Sequence, residues 1–225
     1  MNAIAIHQPE YIPWVHLFEK ISLSDEFIFL DDVQYLRRGF QSRNKILSKN
    51  GEKWLTVPTI KNKREAKINQ IILDNSKAWQ KQHFNIICES YRNSKYFLEV
   101  KNFLQPYYNN YYEKLYLFSS EITVQISKKL GLKTKFSFSS DSKSKLHRSD
   151  KIFDICKKKN AKTYITGQGS KNYLDNDKFM NEGIKVKYLK PKLAYQQTKD
   201  HFTPELSILD YLFHNGFKKF LKENL

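Results

Sequence analysis

The chain has 225 residues, 40% hydrophobic and 28% charged, and a formal net charge of +16. That length and balance bury a core of one large domain or two small ones and exclude a disordered chain; no run approaches the ~18 apolar residues of a membrane helix, and no basic-then-apolar leader marks a secretory signal, so the cytoplasm is the expected compartment. The positive charge calls for an acidic partner, but only Arg37, Arg38, Arg43, Arg64, Arg92 and Arg148 are arginines, and base-reading surfaces cluster arginine, so nucleic acid is not the expected one.

In chain order, residues 3–6 and "EFIFL" at 26–30 read as buried strands. Between them Trp14, Leu17, Phe18 and Ile21 recur at helical spacing. A strand–loop–helix–strand unit of this kind builds parallel sheets. "KWLTVPTI" (53–60) alternates as a strand, with Pro58 favouring an edge or an end, and "INQIIL" (68–73) reads as another. From Trp79 the apolar period lengthens, and 79–92 and 94–130 read as helices. Pro106 must start or kink one. "KTKFSFSS", "KTYIT" and "IKVKYLK" read as three further strands, separated by a helix from Ser149 or Asp150 to Lys159 and by the short helix "DNDKFMNEG". "TPELSILDYLFHNGFKKFLKEN" closes the chain as a helix. The expected fold is α/β: an N-terminal parallel-sheet unit of Rossmann or HUP type, a helical middle over about 79–130 and C-terminal β/α elements. It forms a single domain over 1–225 with a soft boundary near 75–80.

Three stretches carry the candidate chemistry. His7, Gln8, Tyr11, Trp14 and His16 follow the first strand, where ligands bind in open α/β sheets. Pro9 and Pro13 stiffen this loop, and imidazoles in a rigid loop suit acid–base work. The alternative is that both histidines satisfy buried backbone groups. After the second strand, "LDDVQYLRRGFQSRN" places Asp31 and Asp32 beside Tyr35, Arg37, Arg38, Arg43 and Asn44. Guanidinium forks grip phosphate or carboxylate, although structural ion pairs to the neighbouring acids would use the same residues. Gly167, Gln168, Gly169 and Ser170 follow a third strand and can expose backbone N–H groups to a phosphate, or form only a tight turn. His147 lies beside Arg148 in a polar loop and can contact an anion, whereas His83 and His201 stand in no motif. Cys88 and Cys156 have no CxxC or histidine partner and read as reduced, buried thiols. No metal-ligand spacing is present.

The stretches "HQPEYIPW" (7–14), "HLFEKI" (16–21), "LDDVQYLRRGFQSRNKI" (30–46), "WLTVPTI" (54–60), "WQKQHFNIICESYRNSKYF" (79–97), "KTYITGQGSKNYL" (162–174), "FMNEGIKVKYL" (179–189) and "LSILDYLFHNG" (206–216) resemble the WbqC-like family of bacterial proteins over nearly the whole chain. His16 departs from a glycine frequent in that family, and "GQGS" from its usual Gly-rich turn. The resemblance implies a place in O-antigen or other surface-polysaccharide biosynthesis. It points to acylation or aminoacylation of an amino group on a nucleotide-linked sugar. The cofactor stays open, with an acyl or aminoacyl donor such as acyl-CoA or an acidic acyl carrier protein expected ahead of ATP. The opening also resembles HUP-type nucleotidyltransferases, although "PWVH" supplies one histidine of their pair. A non-catalytic binding protein of the assembly machinery is the remaining reading. In the enzyme reading His7 is the acid–base group, oriented by Asp31 or Asp32. The arginines hold the pyrophosphate, and the aromatic side chains stack on sugar or base.

Overall fold

A computed structural model describes residues 2–190, 195, 197 and 202–218. Its centre is a five-stranded parallel sheet built from β1 (Ala3–His7), β2 (Glu26–Phe29), β5 (Lys135–Phe138), β6 (Thr163–Gly167) and β7 (Lys185–Leu189). The spatial order β5-β2-β1-β6-β7 reads 3-2-1-4-5 when these strands are ranked along the chain. That is the doubly wound order, whose reversal lies between β1 and β6.

Helices cover both faces, which is why the strands are apolar on both sides. Ala5, Phe27, Phe29 and Ile165 face one core, shared with α1 (Val15–Ser22), α2 (Trp79–Tyr91), α3 (Phe97–Asn109), α4 (Leu115–Lys129) and α7 (Ile208–Asn215). Ile4, Ile6, Ile28 and Tyr164 face the other, shared with α5 (Arg148–Lys158) and α6 (Asn176–Asn181). Alternate side chains thus sort to opposite cores, and truncating Ile4 or Ile6 to valine would cost about 0.5–1.5 kcal/mol. A separate antiparallel hairpin, β3 (Arg43–Ser48) and β4 (Gly51–Thr56), stands between β2 and the helical middle.

Three expectations change. Residues 68–73 are not a strand: Ile68–Gln70 form a 3-10 turn, followed by isolated bridges at Ile72 and Leu73. Asn69 explains this, since its backbone N–H donates to Asp31 O and its side chain to Asp31 Oδ2, drawing the backbone out of line. The middle helix over 94–130 is two helices separated by 110–114, and Pro106 sits within the first of them. The last helix stops at Asn215. Gly216 follows at φ +69, where a Cβ would also strike the Tyr96 ring. His201 and residues 219–225 lie outside the described residues. No described helix is long and apolar enough to cross a membrane.

Candidate functional site

At the C-terminal ends of β1 and β2, on the α5 side of the sheet, opens a cleft of about 830 Å³. Gln8, Asp32 and Lys151 line its polar part; Lys67, Lys145, His147 and Arg148 supply positive or protonatable groups; Leu30, Leu36, Leu146, Ile152 and Tyr173 give an apolar wall. Gln8 leaves β1 on the side opposite His7. Its Oε1 accepts a hydrogen bond from Gln41 Nε2. Gly39 makes room for that clamp, because a Cβ there would collide with Gln41 Oε1.

The two adjacent aspartates diverge. Asp31 is 1% exposed. Its Oδ1 accepts from Ser140 N (3.0 Å) and shares the Ser139 hydroxyl proton with Asp32 (3.1 Å to Asp31), and its Oδ2 accepts from Asn69 Nδ2 (3.0 Å). It fastens the end of β2 to the segment after β5 and is saturated. Asp32 turns to the cleft, where Lys151 Nζ donates to its Oδ2 at 2.6 Å and also to Ser144 O at 3.1 Å. Both side chains of this pair are largely buried, at 11% and 5% exposure. Lys151 reaches it from the first turn of α5. Arg148, at φ +50, holds a left-handed conformation at the start of that helix, which costs about 1–2 kcal/mol. The strain delivers His147 and Arg148 to the cleft.

His7 lies elsewhere. It shares the side of β1 with Ala5 and faces α1. Its Nε2 meets Glu10 Oε1 at 2.9 Å, and its Nδ1 meets Lys20 Nζ at 3.2 Å. Burial, then the Lys20 charge, lowers its pKa against the pull of Glu10; burial likewise lowers Lys20, to about 8. His16 Nδ1 pairs with Glu19 Oε2 at 2.6 Å, and its ring meets the Trp14 ring edge-on.

Several expected ligand groups are engaged internally. Tyr11 is 0% exposed, and its hydroxyl sits 2.8 Å from both His83 Nδ1 and Tyr108 OH. Burial holds the His83 imidazole down at about 4, against a hydrogen bond to the Thr56 backbone; a neutral ring that spends its one N–H there leaves Nδ1 as an acceptor, so Tyr11 donates to it and Tyr108 donates to Tyr11. Tyr35 is buried and donates to Ser42 Oγ. Asn44 donates to the carbonyls of Tyr11 and Ile12, and Ser207 Oγ also donates to Ile12 O. These bonds hold Ile12 at φ +42, a rare conformation for a β-branched residue. The loop is therefore clamped by distant side chains as well as by its prolines.

The arginines do not converge on the cleft. Arg37 donates to Asn62 O and Arg38 is exposed, whereas Arg43 stacks 4.4 Å over the Trp54 ring. After β6, Ser170 Oγ donates to Gly167 O and Gln168 Nε2 to Leu189 O. Gly167 and Gly169 have open space where a Cβ would point. The structure thus brings Gln8 and Asp32 together with Lys67, Lys145, His147, Arg148 and Lys151. Of these five, sequence reasoning singled out only the His147–Arg148 pair. No local signal marked Lys151 as the partner of Asp32, because three arginines in the same stretch stood as nearer counter-ions.

The WbqC-like protein family model matches residues 8–221. The chain is also similar to the protein described as "Uncharacterized protein Rv1507c" from Mycobacterium tuberculosis (strain ATCC 25618 / H37Rv), 31% identical over 220 residues that span 96% of this chain and 95% of that one. No solved structure matches.

Proposed function

The chain belongs to the WbqC-like protein family, and on that premise we propose that it is a transferase of surface-polysaccharide biosynthesis, acylating or aminoacylating an amino group of a nucleotide-linked sugar. The observation that carries this reading is the cationic cleft. Its volume of about 830 Å³ suits a small-molecule ligand, and its position is where doubly wound sheets take theirs. Lys67, Lys145 and Arg148 are placed for the diphosphate, Tyr173 and Leu146 for the base or sugar ring, and Asp32 for a sugar hydroxyl or amine.

His147 is the cleft's imidazole, the side-chain type suited to moving protons near neutral pH. In the reading proposed, the neutral amine of the sugar attacks the acyl carbonyl carbon of a thioester donor. The C–N bond forms, the C–S bond breaks, and His147 takes the amine proton and passes it to the departing thiolate. The donor is an acyl-CoA or an acidic acyl carrier protein, drawn by the positive surface. His7 has no part in this step, because it faces α1 across the sheet.

A thermal-shift screen tests the proposal. Saturation at 100 times Kd stabilises by about 2.7 kcal/mol, or roughly 5–10 °C for a chain of this size. A nucleotide-linked amino sugar should raise Tm by that amount, and Lys145→Ala with Arg148→Ala should abolish the rise. A rise retained in that double variant, or none with any nucleotide sugar, refutes the cleft assignment. A rise with ATP and magnesium alone would favour the nucleotidyltransferase reading, which the strand order also admits.

A further inference from the structure

Lys20 is a second reactive feature, on the face of the sheet away from the cleft, and it does not depend on the transferase reading. Side chains of a helix lean toward its N-terminus. Lys20 therefore runs back along α1 toward the C-terminal end of β1, where its Nζ meets His7 Nδ1 at 3.2 Å. Lys20 is 8% exposed, and among the described residues it makes no ion pair within 4.0 Å of a carboxylate. Burial holds this amine at about 8 against the pull of the Glu10 charge, so its neutral form is well populated at mildly basic pH.

The other ring nitrogen fixes the polarity of the arrangement. Glu10 Oε1 accepts from His7 Nε2 at 2.9 Å, so the proton resides on Nε2 and Nδ1 presents its lone pair to Lys20. Both ring nitrogens are engaged, one by a carboxylate and one by a potential nucleophile, as in an acid–base–nucleophile triad. Glu10 Oε2 is buried with no partner, leaving one acceptor unanswered beside the ring. The imidazole side chain is 30% exposed and marks the way in from solvent.

We propose that Glu10, His7 and Lys20 form a carboxylate–imidazole–amine relay in which Lys20 is a nucleophile that condenses with the carbonyl group of a small aldehyde or ketone. The Nζ lone pair attacks the carbonyl carbon, a C–N bond forms, and His7 Nδ1 carries one N–H proton to the alkoxide oxygen to give the carbinolamine. It then carries the second N–H proton to that hydroxyl; the C–O bond breaks, the oxygen leaves as water, and a neutral imine remains on Lys20. No oxidant or reductant is consumed. Glu10 is a positioning residue: it holds the tautomer and stabilises the transient imidazolium. An amine held at about 8 has roughly a hundredfold or more larger neutral fraction at pH 7 than an ordinary lysine near 10.4.

The test treats the full chain with glyoxylate at limiting concentration and cyanoborohydride, which reduces any imine to a carboxymethyl-lysine, and maps the adducts by mass spectrometry. At pH 7 Lys20 should be labelled at least tenfold faster than exposed Lys53, and its rate should reach half its maximum near pH 8. His7→Gln should slow Lys20 labelling about tenfold while leaving Lys53 unchanged. If that variant fails to fold, Glu10→Gln serves, with the same direction expected. Slower labelling of Lys20 than of Lys53, a rate still climbing above pH 9.5, or an unchanged rate in either folded variant would overturn the relay. Loss of nucleotide-sugar binding in the cleft would not touch this result.

Discussion

The buried pair between Lys151 and Asp32 gives the sharpest stability prediction. Replacing Lys151 by methionine keeps the aliphatic stem but removes the ammonium that donates to Asp32 Oδ2 and Ser144 O. Asp32 then retains only Ser139 Oγ at 11% exposure. Breaking a buried pair from one side costs about 3–5 kcal/mol, because the remaining charge is stranded. With a urea m-value of about 3 kcal/mol/M, the midpoint should fall by roughly 1–1.7 M, and Tm by about 6–20 °C. Adding Asp32→Asn should restore part of the loss, since the stranded charge goes with it. The cycle of two singles and one double variant should therefore be non-additive by about 2–3 kcal/mol. A Lys151→Met cost below about 1 kcal/mol, or an additive cycle, would show that the pair behaves like an exposed one and that the polar end of the cleft is wet.

Three further outcomes are expected. His83 is held down at about 4 by burial against about 6.5 in an unfolded chain. Its contribution is fully present above pH 6.5 and is lost as pH falls to about 4, on the order of 3 kcal/mol; urea titrations of His83→Gln should lack that slope, and an equal slope in the variant refutes the assignment. Gly39→Ala forces Gln41 out of its place over residue 39 and so releases Gln8. Ligand binding in the cleft should weaken severalfold with Tm lowered by only a few degrees, and unchanged binding would exclude Gln8 from recognition. Burial pushes the Cys156 thiol up to about 12. Iodoacetamide should leave it unlabelled in the native chain at pH 8 and label it on unfolding, and rapid native labelling would contradict its place in the core.

The parallel sheet was legible because strands covered on both faces read as short continuous apolar runs. The turn at 68–70 was not, since its cause is Asn69 reaching Asp31, 38 positions away. At the site, Gln8 and Asp32 were readable from their place after strand ends. The arginines misled for a physical reason: a guanidinium also packs on an indole face or donates to a backbone carbonyl, and Arg43 and Arg37 take those partners. Tyr11 looked like a ligand-stacking ring, but nothing in its neighbourhood along the chain reveals His83 and Tyr108 closing over its hydroxyl. Lys20 was invisible because only the packing of α1 on β1 brings it to His7.

The middle position of β1 has a consequence for biosynthesis. It is made before the other four strands of its sheet, yet one of its neighbours, β6, begins at Thr163. β2 can zip onto one edge early, but at ~5–20 residues per second the other edge waits on the order of ten seconds for its partner. Throughout that interval the nascent chain carries a bare row of amides and carbonyls next to Ile4 and Ile6. Translational pausing between the codons for β2 and β6 therefore lengthens the exposure of that edge, until the fourth parallel strand covers it.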